Sequence, residues 1–210
     1  MKLGIFGGTF NPVHRGHITA SLKFYDMAEL DRLLIIPDRI PPHKSGTFAS
    51  ADDRLAMVRL VYSDTELVGS RNIEVSDMEL CRDGKSYTYD TLCDISEKYA
   101  GAELFMYVGS DMFYTLESWH RGADILGMCT VVTASREVSE REKLFEFAKR
   151  YKDNYGTESI IMDYSPVVVS STQIREAFKD INSESFADFT KNVLTDSVIG
   201  YIMERNLYGD

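Results

Sequence analysis

The sequence predicts an α/β fold, one doubly wound domain with a mostly parallel sheet and helices on both of its faces. Three observations carry that expectation. Short apolar runs alternate with amphipathic stretches along the chain, the pattern of strands covered by helices. The first of those runs passes through a glycine pair straight into a helical segment. No internal repeat, low-complexity tract or long linker divides the 210 residues, so residues 1–210 are read as one domain, with a C-terminal helical part from about 170 to 208.

Taken in order, Leu3, Ile5 and Phe6 mark a strand over Lys2 to Phe6. Gly7 and Gly8 let the backbone approach a ligand closely, and Arg15 to Met27 reads as the next helix. Further strands are expected at Arg32 to Pro37, Glu66 to Val75, Glu103 to Val108, Cys129 to Thr133 and Ser159 to Met162. Ser50 to Asp53 resembles a capping box opening a helix to Tyr62, with Leu55, Val58 and Val61 on its apolar stripe. Other helices are expected at Tyr89 to Tyr99, Glu137 to Tyr155, Ser171 to Phe178 and Asp196 to Arg205. In such a doubly wound, Rossmann-like sheet the ligand crevice lies at the carboxyl ends of the strands, so the residues just after each strand are the first candidates for a site.

Composition narrows the function. With 44% hydrophobic and 27% charged residues the chain can bury one substantial core. No run approaches the ~18 uninterrupted apolar residues of a membrane span, and Met1 leads at once into the first strand, which predicts no signal peptide and a cytoplasmic protein with no membrane partner. Cys81, Cys93 and Cys129 are unclustered and lack metal-ligand spacing, so they are expected to remain reduced thiols. A formal charge of −10 argues against a nucleic-acid polymer as partner, because that requires many phosphates to be neutralised. A small anionic substrate needs positive potential in one cleft only. The sequence leaves a homo-oligomer open.

Several segments place suitable chemistry after strands. His14 and His17, one turn apart at a helix start whose orphan N–H groups favour an anion, can both direct imidazole donors at phosphate oxygens; a surface pair or half of a metal site is the alternative. Pro37-Asp-Arg-Ile-Pro-Pro-His-Lys44 is a proline-stiffened loop that holds His43 and Lys44 with little entropy left to lose. Ser86-Tyr-Thr-Tyr-Asp-Thr-Leu92 gives hydroxyls and backbone N–H groups at a helix start. After the fourth strand, Gly109 allows backbone contact, Asp111 offers an acceptor for ribose hydroxyls, and Trp119, the one tryptophan, offers a flat surface. Ser170, Ser171 and Thr172 cap a late helix and make a second anion-binding helix start, with Arg175 one turn on.

The run Gly7-Gly-Thr-Phe-Asn-Pro-Val-His-Arg-Gly-His17 resembles the H-x-G-H signature of the nucleotidyltransferase superfamily, and within it the nicotinate mononucleotide adenylyltransferases. Asn11 stands where that family more often has Asp, and its side chain can still brace the turn. The Pro-Pro-His43-Lys44 loop, the Ser86-Tyr87-Thr88 helix start, the Gly109-x-Asp111 and Trp119-His120 elements and the Ser170-Ser-Thr-x-Ile-Arg175 run are similar to that family's elements as well. The resemblance implies that His14 and His17 are catalytic and that Gly7, Gly8, Thr9, Phe10, His14, His17, Gly109, Asp111, Ser170, Ser171, Thr172 and Arg175 bind ATP. It further implies that His43, Lys44, Tyr87, Thr88 and Trp119 bind nicotinate mononucleotide.

No serine or cysteine sits in a nucleophile motif and no carboxylate cluster suggests a metal cage, so direct attack is expected, with Mg2+ delivered by ATP. The implied reaction is adenylyl transfer from ATP to nicotinate mononucleotide, releasing pyrophosphate, in NAD biosynthesis. A phosphopantetheine adenylyltransferase-like enzyme and a non-catalytic pyridine-nucleotide sensor are the alternatives.

Overall fold

The computed structural model describes residues 1–39, 49–82, 84–135, 140–164, 167 and 169–209. Six strands form one sheet: β1 (Lys2–Gly8), β2 (Arg32–Pro37), β3 (Ile73–Val75), β4 (Glu103–Tyr107), β5 (Thr130–Ala134) and β6 (Ser159–Met162). Their order is β3-β2-β1-β4-β5-β6 and every pairing is parallel. The chain winds outward from β1 to β3, then returns to lay β4 on the other side of β1, in register Phe6 with Tyr107. The direction of winding therefore reverses between β1 and β4, which opens a crevice at their carboxyl ends.

Alternation along the strands feeds two cores. Leu3, Ile5, Leu34, Ile36, Leu104, Met106 and Val131 point to one face, and Phe6, Leu33, Ile35, Phe105 and Val132 to the other. The first face is covered by α4 (Thr88–Lys98), α5 (Ser110–Phe113), α6 (Gly122–Met128) and α7 (Glu140–Tyr155). The opposite face is covered by α1 (Arg15–Met27), α2 (Ala51–Tyr62), α8 (Ser171–Phe178), α9 (Phe186–Val193) and α10 (Asp196–Glu204). Gly4 on β1 permits the close seat of α1, since a side chain there would overlap Leu30 and Leu33 and meet Phe24.

Most expected elements lie within a residue or two of their predicted ends, and two expectations need correction. The strand expected at Glu66 to Val75 reduces to Ile73–Val75, because Asp64 caps a short helix α3 (Thr65–Val68) by accepting from Glu66 and Leu67 N–H, and Gly69 then turns with φ 63°. The reciprocal capping box at Ser50 is half present: Ser50 Oγ accepts from Asp53 N at 3.0 Å. The Asp53 carboxylate, a methylene shorter than Glu, takes the Ser50 hydroxyl and the Tyr201 hydroxyl instead, tying α10 to α2. Helices α5 and α6 and the 3-10 turn Leu116–Ser118 were not expected, since at three to seven residues they are too short to show a period, and α9 falls within the helical part expected from about 170 to 208. Residues 137–139 of the predicted helix before Tyr155 lie outside the described residues.

Candidate active site

At the end of β1, Gly7 is exposed and a side chain there would meet nothing within 4 Å. At Gly8 a Cβ would come within 3.0 Å of the Phe10 ring, so glycine is what lets that ring fold back under the turn. Phe10 adopts φ 48° and packs edge-on against His17, with ring centroids 5.1 Å apart.

The spacing of the two histidines has a structural reason. His14 is the N-cap of α1: its Nδ1 accepts from His17 N at 3.4 Å, while His17 Nδ1 accepts from His14 N at 3.3 Å. The two rings stack at 3.7 Å between centroids, 26° from parallel. This is a capping box made by imidazoles. Between them Gly16 is closely packed, since a Cβ would lie 3.0 Å from the His14 ring and 3.1 Å from Val167 O and would press on both. Because each Nδ1 accepts a backbone N–H, the neutral ring carries its proton on Nε2, and that N–H is its remaining donor. Burial pushes His14 down from 6.5 to about 4, so it is a neutral donor near pH 7.

The other end of the chain meets this turn. Ser170 opens α8 with a capping box, its hydroxyl accepting from Gln173 N and its own N–H donating to Gln173 Oε1. Ser171 Oγ donates to Pro12 O at 3.1 Å, and Arg175 Nη1 donates to Asn11 O at 2.8 Å while Nη2 reaches Thr172 Oγ1. Asn11 is 2% exposed and braces the turn as expected, its Oδ1 accepting from Ala49 N and from Tyr208 Oη at 2.8 Å. The start of α8 and Arg175 are thus bound to Asn11 and Pro12, the residues that lead into His14.

Two further side chains at this rim escaped the sequence reading. Arg54, on the first turn of α2 and 2% exposed, donates to Thr9 O (2.7 Å), to Asp38 Oδ1 (3.2 Å) and to Arg39 O (3.0 Å). Asp38 in turn accepts from the Thr9 hydroxyl at 2.8 Å. One guanidinium therefore clamps the chain where it leaves β1 and where it leaves β2. An arginine beside Leu55 reads in sequence as an exposed neighbour of the apolar stripe, and no periodicity distinguishes it.

The second group of candidates gathers around the start of α4. Tyr87 is its N-cap and makes no side-chain cap bond. The Tyr87 ring packs on His120 at 4.5 Å, which brings the Trp119-His120 segment against the Ser86-Tyr87-Thr88 run. Trp119 is half-buried, packed against the lower core, with Nε1–H donating to Thr115 Oγ1 at 3.2 Å. Gly109 and Asp111 follow β4 beside β1, Gly109 as the N-cap of α5 and Asp111 exposed. His43 and Lys44 lie outside the described residues. Beneath this group sits Glu79, a buried carboxylate that sequence reading also missed because it lies in a polar loop. Burial pushes its carboxyl up, against the hydrogen bonds of Thr91 and Ser86.

Two imidazoles, a guanidinium and two helix starts on joined segments suit a polyphosphate. Among the described residues no group of three or more His, Cys, Asp or Glu side chains could hold a metal ion.

Residues 5–177 match the model of the cytidylyltransferase-like family. The chain is 33% identical over 208 residues to a protein of Oceanobacillus iheyensis described as a probable nicotinate-nucleotide adenylyltransferase, covering 99% of this chain and 97% of that one. It is 34% identical over 218 residues to a Pseudomonas entomophila protein of the same description, covering 99% and 94%. Among solved structures it resembles the Plasmodium falciparum nicotinic acid mononucleotide adenylyltransferase complexed with NaAD, with a TM-score of 0.81, 18% identity and coverage of 99% and 97%.

Proposed function

The chain belongs to the cytidylyltransferase-like family and, within it, to the nicotinate-nucleotide adenylyltransferases, and from that premise we propose how its residues carry the reaction. It joins ATP and nicotinate mononucleotide to give nicotinate adenine dinucleotide and pyrophosphate. The 5′-phosphate of the mononucleotide attacks the α-phosphorus in line, the bond from that phosphorus to the bridging oxygen breaks, and pyrophosphate leaves with the electron pair. No covalent enzyme intermediate is needed, so positioning and charge stabilisation supply the rate.

The observation that supports this reading is the reciprocal cap of His14 and His17, which fixes both rings at the start of α1 and directs their donor capacity to Nε2. Those donors stabilise the charge that builds on the α-phosphate oxygens. Arg175, Ser170, Ser171 and Thr172 hold the triphosphate, and Gly7, Gly8, Thr9 and Phe10 shape the turn along which it lies. Gly109 and Asp111 meet the nucleoside, and Tyr87, Thr88, Trp119, His43 and Lys44 receive the mononucleotide. A divalent cation carried by ATP would neutralise phosphate charge.

Replacing His17 by Ala removes one preorganised donor, for which a loss of ~10² to 10³ in kcat is expected, with the KM values changed far less. Pyrophosphate release from Mg-ATP and nicotinate mononucleotide measures it. Unchanged turnover in the variant excludes the assigned role, and binding without release in the wild type favours a sensor.

A further inference from the structure

Glu79 is 9% exposed, and the polar groups around the start of α4 converge on it. Thr91 Oγ1 donates to Glu79 Oε1 at 2.7 Å while accepting from Arg82 Nη1 at 3.2 Å. Beside it, the Ser86 hydroxyl accepts from Arg39 N at 3.3 Å and draws the Glu79 carboxyl down against the effect of burial. A hydroxyl has one proton to give, so with Glu79 as the shared acceptor both protons have a fixed direction, and the chained bonds reinforce one another. Ser86 and Thr91 flank the first turn of α4, whose N-cap Tyr87 makes no side-chain cap bond of its own. Arg39, whose N–H the Ser86 hydroxyl accepts, belongs to the segment leaving β2 and is also held by Arg54.

We propose that Glu79 is a positioning residue for the pyridine mononucleotide, fixing the amino end of α4 against the segment after β2 by accepting from Ser86 and Thr91 at once. The inference rests on the adenylyltransferase reading and deepens it. Without the carboxylate, the Thr91 hydroxyl has Tyr87 O as its alternative acceptor, 3.4 Å away, and the Ser86 hydroxyl loses its direction. The helix start then keeps its fold but not its orientation toward the mononucleotide, whereas the ATP side, built on α1 and α8, is untouched.

The test is steady-state kinetics of Glu79→Ala, Glu79→Gln and Ser86→Ala with each substrate varied in turn. In Glu79→Ala the KM for nicotinate mononucleotide should rise roughly tenfold, with kcat and the KM for ATP within about threefold of wild type, the signature of lost binding on one substrate. Glu79→Gln keeps an acceptor oxygen and should recover most of the loss, and Ser86→Ala, which removes one of the two hydroxyls, should fall between. Should Glu79→Ala fail to fold, the other two variants carry the same comparison. Equal shifts in both KM values, a wild-type KM for the mononucleotide, or a Gln variant as impaired as the Ala variant each overturn the proposal. A wild-type protein that releases no pyrophosphate overturns instead the reading on which it rests.

Discussion

At the scale of single residues, the pair His14 and His17 was legible as a motif but not in how it is held. The spacing suggests two donors aimed at one anion; the structure spends each Nδ1 on the other's backbone, so that each ring acts first as a helix cap. The same burial has a consequence for stability. The folded His14 binds its proton only near pH 4, against 6.5 for an exposed ring. Above pH 6.5 the ring is neutral in both folded and unfolded chains and its contribution is fully present. As the pH falls from 6.5 toward 4, the unfolded chain takes up a proton that the folded one refuses, and about 3 kcal/mol of stability is lost across that window. Replacement by Asn keeps an N-cap acceptor and removes the titration. The difference in unfolding free energy between wild type and His14→Asn should therefore drift against the wild type as the pH is lowered from 7 to 4. A difference that stays flat over that range would contradict the burial of a neutral imidazole.

At the scale of elements, periodicity located the long helices and the buried strands well, because Leu33 to Ile36 and Val131 to Val132 have few alternative arrangements that bury them. It failed where three or four residues are held by a cap or a turn, as at Asp64 and Gly69, since such chemistry overrides a weak apolar run. It also could not see how elements are joined at the site. Helix α2 reads as a capped amphipathic helix, yet its first turn delivers Arg54 to Thr9 O, Asp38 and Arg39 O, so the helix holds the carboxyl ends of β1 and β2 together. The Arg54 and Asp38 side chains are 3% and 18% exposed, and removing the guanidinium leaves a poorly solvated carboxylate with no counter-charge and only the Thr9 hydroxyl, and takes a charged donor from Thr9 O and Arg39 O. Arg54→Met is expected to cost about 3 to 5 kcal/mol in chemical denaturation. Arg54→Lys, which cannot fork to three acceptors, should recover only part of it. A loss below about 1 kcal/mol for the Met variant would mean the clamp contributes little and the two strand ends are set by the sheet alone.

At the scale of the whole molecule, the sequence suggested a helical C-terminal part but not what it does for the rest. Ser171 and Arg175 bind Pro12 O and Asn11 O, and Tyr208 binds Asn11 Oδ1, so residues more than 150 positions apart in sequence share one turn. The same segment supplies Ile174, Phe178, Val193, Leu194, Val198, Ile202 and Tyr208 to the core that also holds Phe24 and Ile35. We expect residues 1–210 to unfold as one unit for this reason: the sheet has two apolar faces, and a chain ending at residue 170 strips three of the five helices from one of them. Trp119 gives an independent probe, since it packs against the core on the opposite face. In the full chain its fluorescence and the far-ultraviolet circular dichroism should report the same denaturation midpoint. In a chain cut after Ser170 the Trp119 transition should lose its cooperativity even though none of its own neighbours has been removed. A truncated protein whose tryptophan still melts sharply at the original midpoint would show that the two faces fold separately, and that the C-terminal helices are an addition to the site rather than half of the domain that builds it.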